Sequence, residues 1–116
     1  MTESQIALKN SIGEGWETYT KLMPEIVDVY DPLQEEVYKD GDIKAKYKRM
    51  MAIVGALVKG CDACILYQTE EAFNAGATVD ELLECCAVAV ALGGSMAGGE
   101  VTKLVRLLKE MGKIEE

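Results

Sequence analysis

Apolar positions along the chain recur every three or four residues, and no run shows the two-residue alternation of a half-buried strand, so the pattern predicts helices throughout. A first helix is expected over about residues 3–21, with Gly13 and Gly15 as weak points. Pro24 suits the first turn of a second helix running towards Tyr38, and Pro32 inside it is expected to kink or split it. Lys39-Asp40-Gly41-Asp42 reads as a turn. Asp42 then caps a third helix, whose buried stripe is Ile43, Tyr47, Met50, Met51, Val54, Leu57 and Val58. Gly60 marks a break. A fourth helix covers about residues 61–75 and stops at Gly76, a residue suited to a left-handed C-terminal stop. Thr78 and Glu81 form a capping box that opens a fifth helix, about residues 79–92, with Leu82, Leu83, Cys86 and Val90 on its apolar face. After a glycine-rich run at residues 93–99, a last helix carries Val101, Leu104, Val105, Leu108 and Met111. With no linker, internal repeat or low-complexity tract, the expectation is one all-α domain of about six helices over residues 1–116.

Apolar residues make up 49% of the 116, enough for one core, yet a chain this short leaves much apolar surface uncovered, which favours self-association. The net charge of −8 argues against nucleic acid and against anionic membranes, and keeps a cytosolic protein soluble. No stretch approaches the roughly 18 continuous apolar residues of a membrane span. The start, Met-Thr-Glu-Ser-Gln, lacks the basic and apolar blocks of a secretory signal, so a cytoplasmic location is expected. Four cysteines in a reducing compartment point to catalysis, metal binding or inert packing rather than to a structural disulfide. There is no histidine, which removes the commonest general base and metal ligand together.

Cys61-Asp62-Ala63-Cys64 is a C-x-x-C at the expected start of a helix. Residues three apart share a helix face, so the two sulfurs can meet. Unpaired N–H groups at a helix N-terminus favour the thiolate, which is the nucleophile in peroxide reduction and disulfide exchange. The second cysteine can resolve the sulfenic acid or mixed disulfide. The bland alternative is a pair of small buried hydrophobes. Zinc is a weaker alternative, because the remaining ligands would be Cys85 and Cys86, which point about 100° apart on a helix. Cys86 reads as core and Cys85 as surface or interface. No metal and no cofactor is implied. Cys61, Cys64, Ile65, Gln68, Ala72 and Ala75 lie on one stripe, which makes Gln68 the polar side chain beside the thiols, unless it is an ordinary surface glutamine. The glycine run follows no strand, so close helix packing or a helix–helix turn explains it better than a phosphate cradle. Trp16 and Tyr19 are candidates for a subunit contact, and the Glu115-Glu116 tail for solvated terminus.

The segment Cys61-Asp62-Ala63-Cys64-Ile65-Leu66-Tyr67-Gln68, with Ala72, Gly76-Ala77-Thr78, Asp80-Glu81 and Gly93-Gly94, resembles the carboxymuconolactone decarboxylase family, including its alkyl hydroperoxidase D branch. The resemblance implies an all-helical alkyl hydroperoxidase D-like fold that assembles as homotrimers or homohexamers. It also implies a peroxidase in which Cys64 attacks peroxide and Cys61 resolves it. The family pattern adds a proton relay, with a histidine four residues after the second cysteine and a glutamate twelve before the first. Those positions hold Gln68 and Arg49 here. Glutamine cannot accept and return a proton near neutral pH. An arginine near a thiol stabilises thiolate without moving protons; the plainer reading of Arg49 is a solvated charge beside Lys44, Lys46 and Lys48. The family points to Cys64 as nucleophile and the helix terminus to Cys61, and the sequence leaves that choice open.

The expected function is a thiol-dependent oxidoreductase, either a peroxidase of peroxiredoxin type or a disulfide reductase, with Cys61 and Cys64 catalytic and Arg49 and Gln68 lining the site. Its partners are a second copy of itself, a peroxide or disulfide substrate and a thiol electron donor that the sequence does not name. The alternatives are a non-enzymatic or redox-responsive relative that lost the Glu/His relay, or a decarboxylase or lyase acting on a small organic acid.

Overall fold

A computed structural model describes residues 3–115, all of whose regular elements are helices: α1 (Gln5–Leu22), α2 (Pro24–Tyr38), α3 (Ala45–Lys59), α4 (Asp62–Asn74) and α5 (Val79–Glu110). Helix α5 leaves helical geometry at Gly94 (φ 69°, ψ −151°), so it is two helical segments in sequence, and the six expected helices become five with one break. Glu116 of the expected acidic tail, like Met1 and Thr2 at the other end, lies outside the described residues.

Helices α3, α4 and α5 form the core. Ile53, Ala56 and Leu57 of α3 meet Ile65 and Ala72 of α4, and Leu82, Cys86, Ala89, Ala97, Leu104 and Leu108 of α5. The buried stripe of α3 is therefore rotated from the expected one. Tyr47 and Met51 are exposed, and Ile43 lies before the helix and is exposed too. Tyr47, Met50, Met51 and Val54 instead line an apolar groove of about 410 Å³ shared with Cys85 and Val88 of α5. On α5, Leu82 and Cys86 are buried as expected, but Leu83 and Val90 are exposed, and Cys85, expected at the surface or an interface, is buried. The core face of α5 runs through Leu82, Cys85, Cys86 and Ala89, because both α3 and α4 pack on that side.

Local chemistry explains where the helices begin and end. The Thr78 hydroxyl accepts from the Glu81 N–H (3.1 Å) and the Glu81 carboxylate accepts from the Thr78 N–H (2.9 Å), a complete capping box. Those hydrogen bonds, with Lys46 at 3.0 Å, hold the Glu81 carboxyl below its usual range and tie the start of α5 to α3. The cap of α3 is Asp40 rather than Asp42: its carboxylate accepts from the Ala45 N–H at 2.7 Å, with Lys44 at the cap position. Helix α2 passes through Pro32 without splitting, since the Asp28 carbonyl that loses its partner lies on exposed chain where water can satisfy it. Helix α1 passes unbroken through Gly13 and Gly15, both solvent-facing. Its N-terminus is closed by the Glu110 carboxylate of α5, which accepts from the Ser4 hydroxyl (2.5 Å) and the Gln5 N–H (2.7 Å), and α1 is further tied to α4 by a Lys9–Glu70 ion pair.

Helices α1 and α2 sit outside the three-helix core, and α2 buries none of its residues. Its Ile26, Val29, Leu33 and Val37 recur at helical spacing on exposed surface. Helix α5 is apolar enough over 18 residues, with a mean hydropathy of 1.6, to match a membrane span by length and composition. Every such window within Val79–Glu110 includes the break at Gly94, so the apolar stretch is not one continuous helical rod.

Gly94 occupies a backbone region open almost only to glycine, with free space where a Cβ would go. Gly94→Ala is expected to cost about 1–3 kcal/mol in urea unfolding, from backbone strain alone. Gly98→Ala, in helical conformation with equally open space, should be neutral or stabilising by about 0.5–1 kcal/mol. Equal effects at the two positions would contradict this account of the glycine run.

Candidate functional site at the head of the fourth helix

Two residues separate α3 from α4. Gly60 closes α3 in the left-handed conformation (φ 76°, ψ 38°), and Cys61 is extended and caps α4. The Ala56 carbonyl accepts from both the Gly60 N–H (2.9 Å) and the Cys61 N–H (3.1 Å), which fixes the turn. Cys61 thus stands at the helix terminus, as the spacing implied, though as the cap rather than as the first helical residue. Its sulfur accepts from the Cys64 N–H at 3.2 Å, and Cys61 and Cys64 are joined as a disulfide with Cα atoms 5.2 Å apart. When that bond opens, the same N–H and the helix dipole favour negative charge on the Cys61 sulfur. Asp62, inside the motif, is held by Lys103 of α5 at 2.7 Å, and Lys103 also reaches Glu100.

Gln68 is buried one turn beyond Cys64, on the same stripe. Arg49 of α3 turns inward onto it, its side chain only 13% exposed, and so is not the solvated charge its lysine neighbours suggested. The guanidinium donates through Nη1 to Gln68 Oε1 at 3.0 Å, and Gln68 Nε2 donates to the Tyr38 hydroxyl at 3.3 Å. Because arginine only donates, this bond fixes which end of the Gln68 amide faces it. The guanidinium carbon also lies over the Tyr38 ring, 3.7 Å from its centroid, and the Glu71 carboxylate pairs with Nη2 at 3.7 Å. Tyr38 and Glu71 escaped the sequence reading. Glu71 lies at i+3 from Gln68 and was accessible from helical spacing, whereas Tyr38 comes from a distant helix end with no local signal.

Arg49, Gln68 and Cys64 share one pocket of about 680 Å³, closed on its other sides by α1 and α2 through Ile12, Trp16, Tyr30 and Asp31. Tyr67, off the thiol stripe and half exposed, also lines it, and burial pushes its phenol up from the usual range. Trp16 stacks on Tyr19 and meets Tyr30 edge-on within α1 and α2, which places it at the pocket wall. Cys64 lines the cavity and Cys61 does not, so the pocket brings a ligand to Cys64. Cys85 and Cys86 are free thiols on the other side of the core. Burial pushes both up, Cys86 to about 11. Among the described residues no group of three or more His, Cys, Asp or Glu could hold a metal ion.

The carboxymuconolactone decarboxylase family model matches residues 24–108, from the start of α2 to the end of the core, and the chain belongs to that family. A family member from Legionella pneumophila of known crystal structure superposes with a TM-score of 0.88 at 26% identity, over 97% of this chain and 100% of that one. A Thermotoga maritima family protein, for which a role in an antioxidative response has been suggested, superposes with a TM-score of 0.68 at 29% identity, over 74% of this chain and 89% of that one. An uncharacterised protein of Cupriavidus necator is 31% identical over 74 residues, 64% of this chain and 66% of that protein, so the match spans just under two thirds of the relative.

The two thiol pairs are expected to behave differently. After reduction, Cys61 and Cys64 should be alkylated at pH 8 well before Cys85 and Cys86, whose burial and raised ionisation keep them as unreactive thiols. Peptide mapping of timed iodoacetamide labelling checks this; four thiols labelled at one rate in the folded protein would contradict it.

Proposed function

We propose that the chain is a dithiol oxidoreductase that reduces organic hydroperoxides, with Cys64 as the attacking sulfur and Cys61 as the resolving one. The observation that carries this reading is the Cys61–Cys64 pair at the start of α4, with Cys64 alone of the two lining the pocket of about 680 Å³. The suggested antioxidative role of the Thermotoga relative supports it. In the reaction the Cys64 thiolate attacks the terminal peroxide oxygen. The O–O bond breaks, the alkoxide takes a proton and leaves as the alcohol, and Cys64 becomes a sulfenic acid. The Cys61 thiolate then attacks that sulfur, an S–S bond forms, and hydroxide leaves and is protonated to water. One hydroperoxide and two thiols give one alcohol, one water and one disulfide. An external dithiol reduces the disulfide and closes the cycle.

The Glu/His relay of the family pattern is replaced by a cation and an amide. Arg49 and Gln68 can polarise and hold, but neither shuttles protons near neutral pH. Protons therefore pass through water in the open pocket, and the rate follows ionisation of the attacking thiol alone. The working protein is a cytoplasmic homo-oligomer, a trimer or hexamer. The uncovered apolar residues of α2 and of the first half of α5 support self-association; light scattering tests it, and a strictly monomeric mass in solution would remove it.

With excess dithiothreitol, the reduced protein is expected to consume cumene hydroperoxide catalytically, with kcat/KM rising with pH and then levelling as the thiol ionises. Cys64→Ser should abolish turnover. Arg49→Glu combined with Gln68→His should raise it, by up to the roughly 10²-fold that positioned acid–base groups supply. Absence of turnover above the Cys64→Ser background would remove the reading. A gain from near zero in the double variant would instead favour a redox-responsive protein without turnover, the alternative that the Arg49–Gln68 pairing supports.

A further inference from the structure

The pocket beside Cys64 holds far more than a peroxide group. At about 680 Å³ it lies in the range of sites that enclose whole organic molecules, roughly 300–1,000 Å³. Its walls are largely apolar and aromatic: Ile12, Trp16, Tyr30, Leu66 and Tyr67. Within it sits one nearly buried cation whose donors outnumber its partners. A guanidinium has five N–H groups in a planar fork. Arg49 spends one on Gln68; Glu71 forms an ion pair with it at 3.7 Å from Nη2, which balances charge but is too long for a hydrogen bond and leaves that donor unspent. The cation–π contact with Tyr38 is not a hydrogen bond. The acidic side chains at the pocket, Asp31 and Glu35, belong to exposed residues of α2, where solvent and salt screen them more than they screen Arg49.

We infer that Arg49 is a carboxylate-binding residue, and that the pocket takes a monoanionic organic acid whose apolar body lies along Trp16, Tyr30 and Tyr67. The planar fork suits a carboxylate held by two parallel N–H···O bonds. For the reaction proposed above, on which the rest of this inference depends, the placement also sets where the hydroperoxide must be. Gln68, which accepts from Arg49, lies one helical turn from Cys64, about 5–6 Å between Cβ atoms. A small organic acid that reaches both Cys64 and Arg49 within the one pocket carries its reacting oxygen and its carboxylate a few bonds or one aromatic ring apart. The substrate class is an aryl or short-chain carboxylic acid bearing a hydroperoxide, not a long-chain acid with its hydroperoxide far from the carboxylate.

Binding and turnover test this separately. Trp16 is the sole tryptophan and lines the pocket, so its emission reports occupancy without any chemistry. In the wild-type protein, 4-isopropylbenzoate is expected to bind at least tenfold more tightly than its methyl ester, by Trp16 emission and by calorimetry. Added salt should weaken the acid and leave the ester unchanged, and Arg49→Gln should erase the difference between them. In turnover, 4-carboxycumene hydroperoxide should surpass both its methyl ester and cumene hydroperoxide at least tenfold in kcat/KM, chiefly through KM. Equal binding of acid and ester to the wild-type protein overturns the inference, whatever Arg49→Gln does and even if cumene hydroperoxide is reduced. Preferred binding of the acid with no hydroperoxide consumed upholds the carboxylate site and removes the peroxidase reading alone.

Discussion

The site depends on a turn only two residues long. Between the last residue of α3 and the first of α4 stand Gly60, left-handed, and Cys61, extended, both held by one carbonyl at Ala56. A side chain at position 60 would strain that backbone. The turn sets the register of α4: Cys61 becomes its cap, Cys64 lies partly buried at the pocket, Ile65 enters the core and Gln68 comes to rest under Arg49. Packing and chemistry thus share one helix. The core contacts of Ile65, Leu66, Thr69 and Ala72 hold it in place, while the adjoining stripe carries the thiols.

Electrostatics separates this chain from the pattern its family resemblance implies. A glutamate and a histidine can pass a proton between them; an arginine and a glutamine can only fix charge and geometry. Burying a guanidinium is costly unless it is paired and hydrogen-bonded. Arg49 is met by an amide oxygen, an aromatic face and a carboxylate just out of hydrogen-bond range. That arrangement leaves the guanidinium with more N–H donors than hydrogen-bond partners, which supports the inference that it is a binding group rather than part of a proton chain.

Much of this was legible in the sequence because it was written locally. The capping box at Thr78 and Glu81, the breaks at Gly60 and Gly76 and the shared stripe of Cys61, Cys64 and Gln68 all follow from spacing within a few residues. What escaped depends on neighbours far away in the chain. Tyr38 reaches Gln68 across 30 positions, and Asp40 takes over a cap that Asp42 was equally suited to provide. The buried faces of α3 and α5 were misjudged at Tyr47, Met51, Leu83 and Val90 because amphipathic spacing identifies an apolar face without saying what lies against it. Arg49 was ambiguous for the same reason: four basic residues fall within Lys44–Arg49 in sequence, and only packing tells which one turns inward.

The division of labour between the two sulfurs is the centre of the account. In the proposed reaction Cys64, which lines the pocket, meets the substrate, and Cys61, at the cap with an N–H directed at its sulfur, closes the disulfide. The most direct measurement is to treat reduced Cys61→Ser and Cys64→Ser proteins with one equivalent of an organic hydroperoxide, trap sulfenic acid with dimedone and locate the adduct by mass spectrometry. An adduct is expected on Cys64 in Cys61→Ser and none on Cys61 in Cys64→Ser. An adduct on Cys61 alone, or on neither cysteine, would contradict this division of labour.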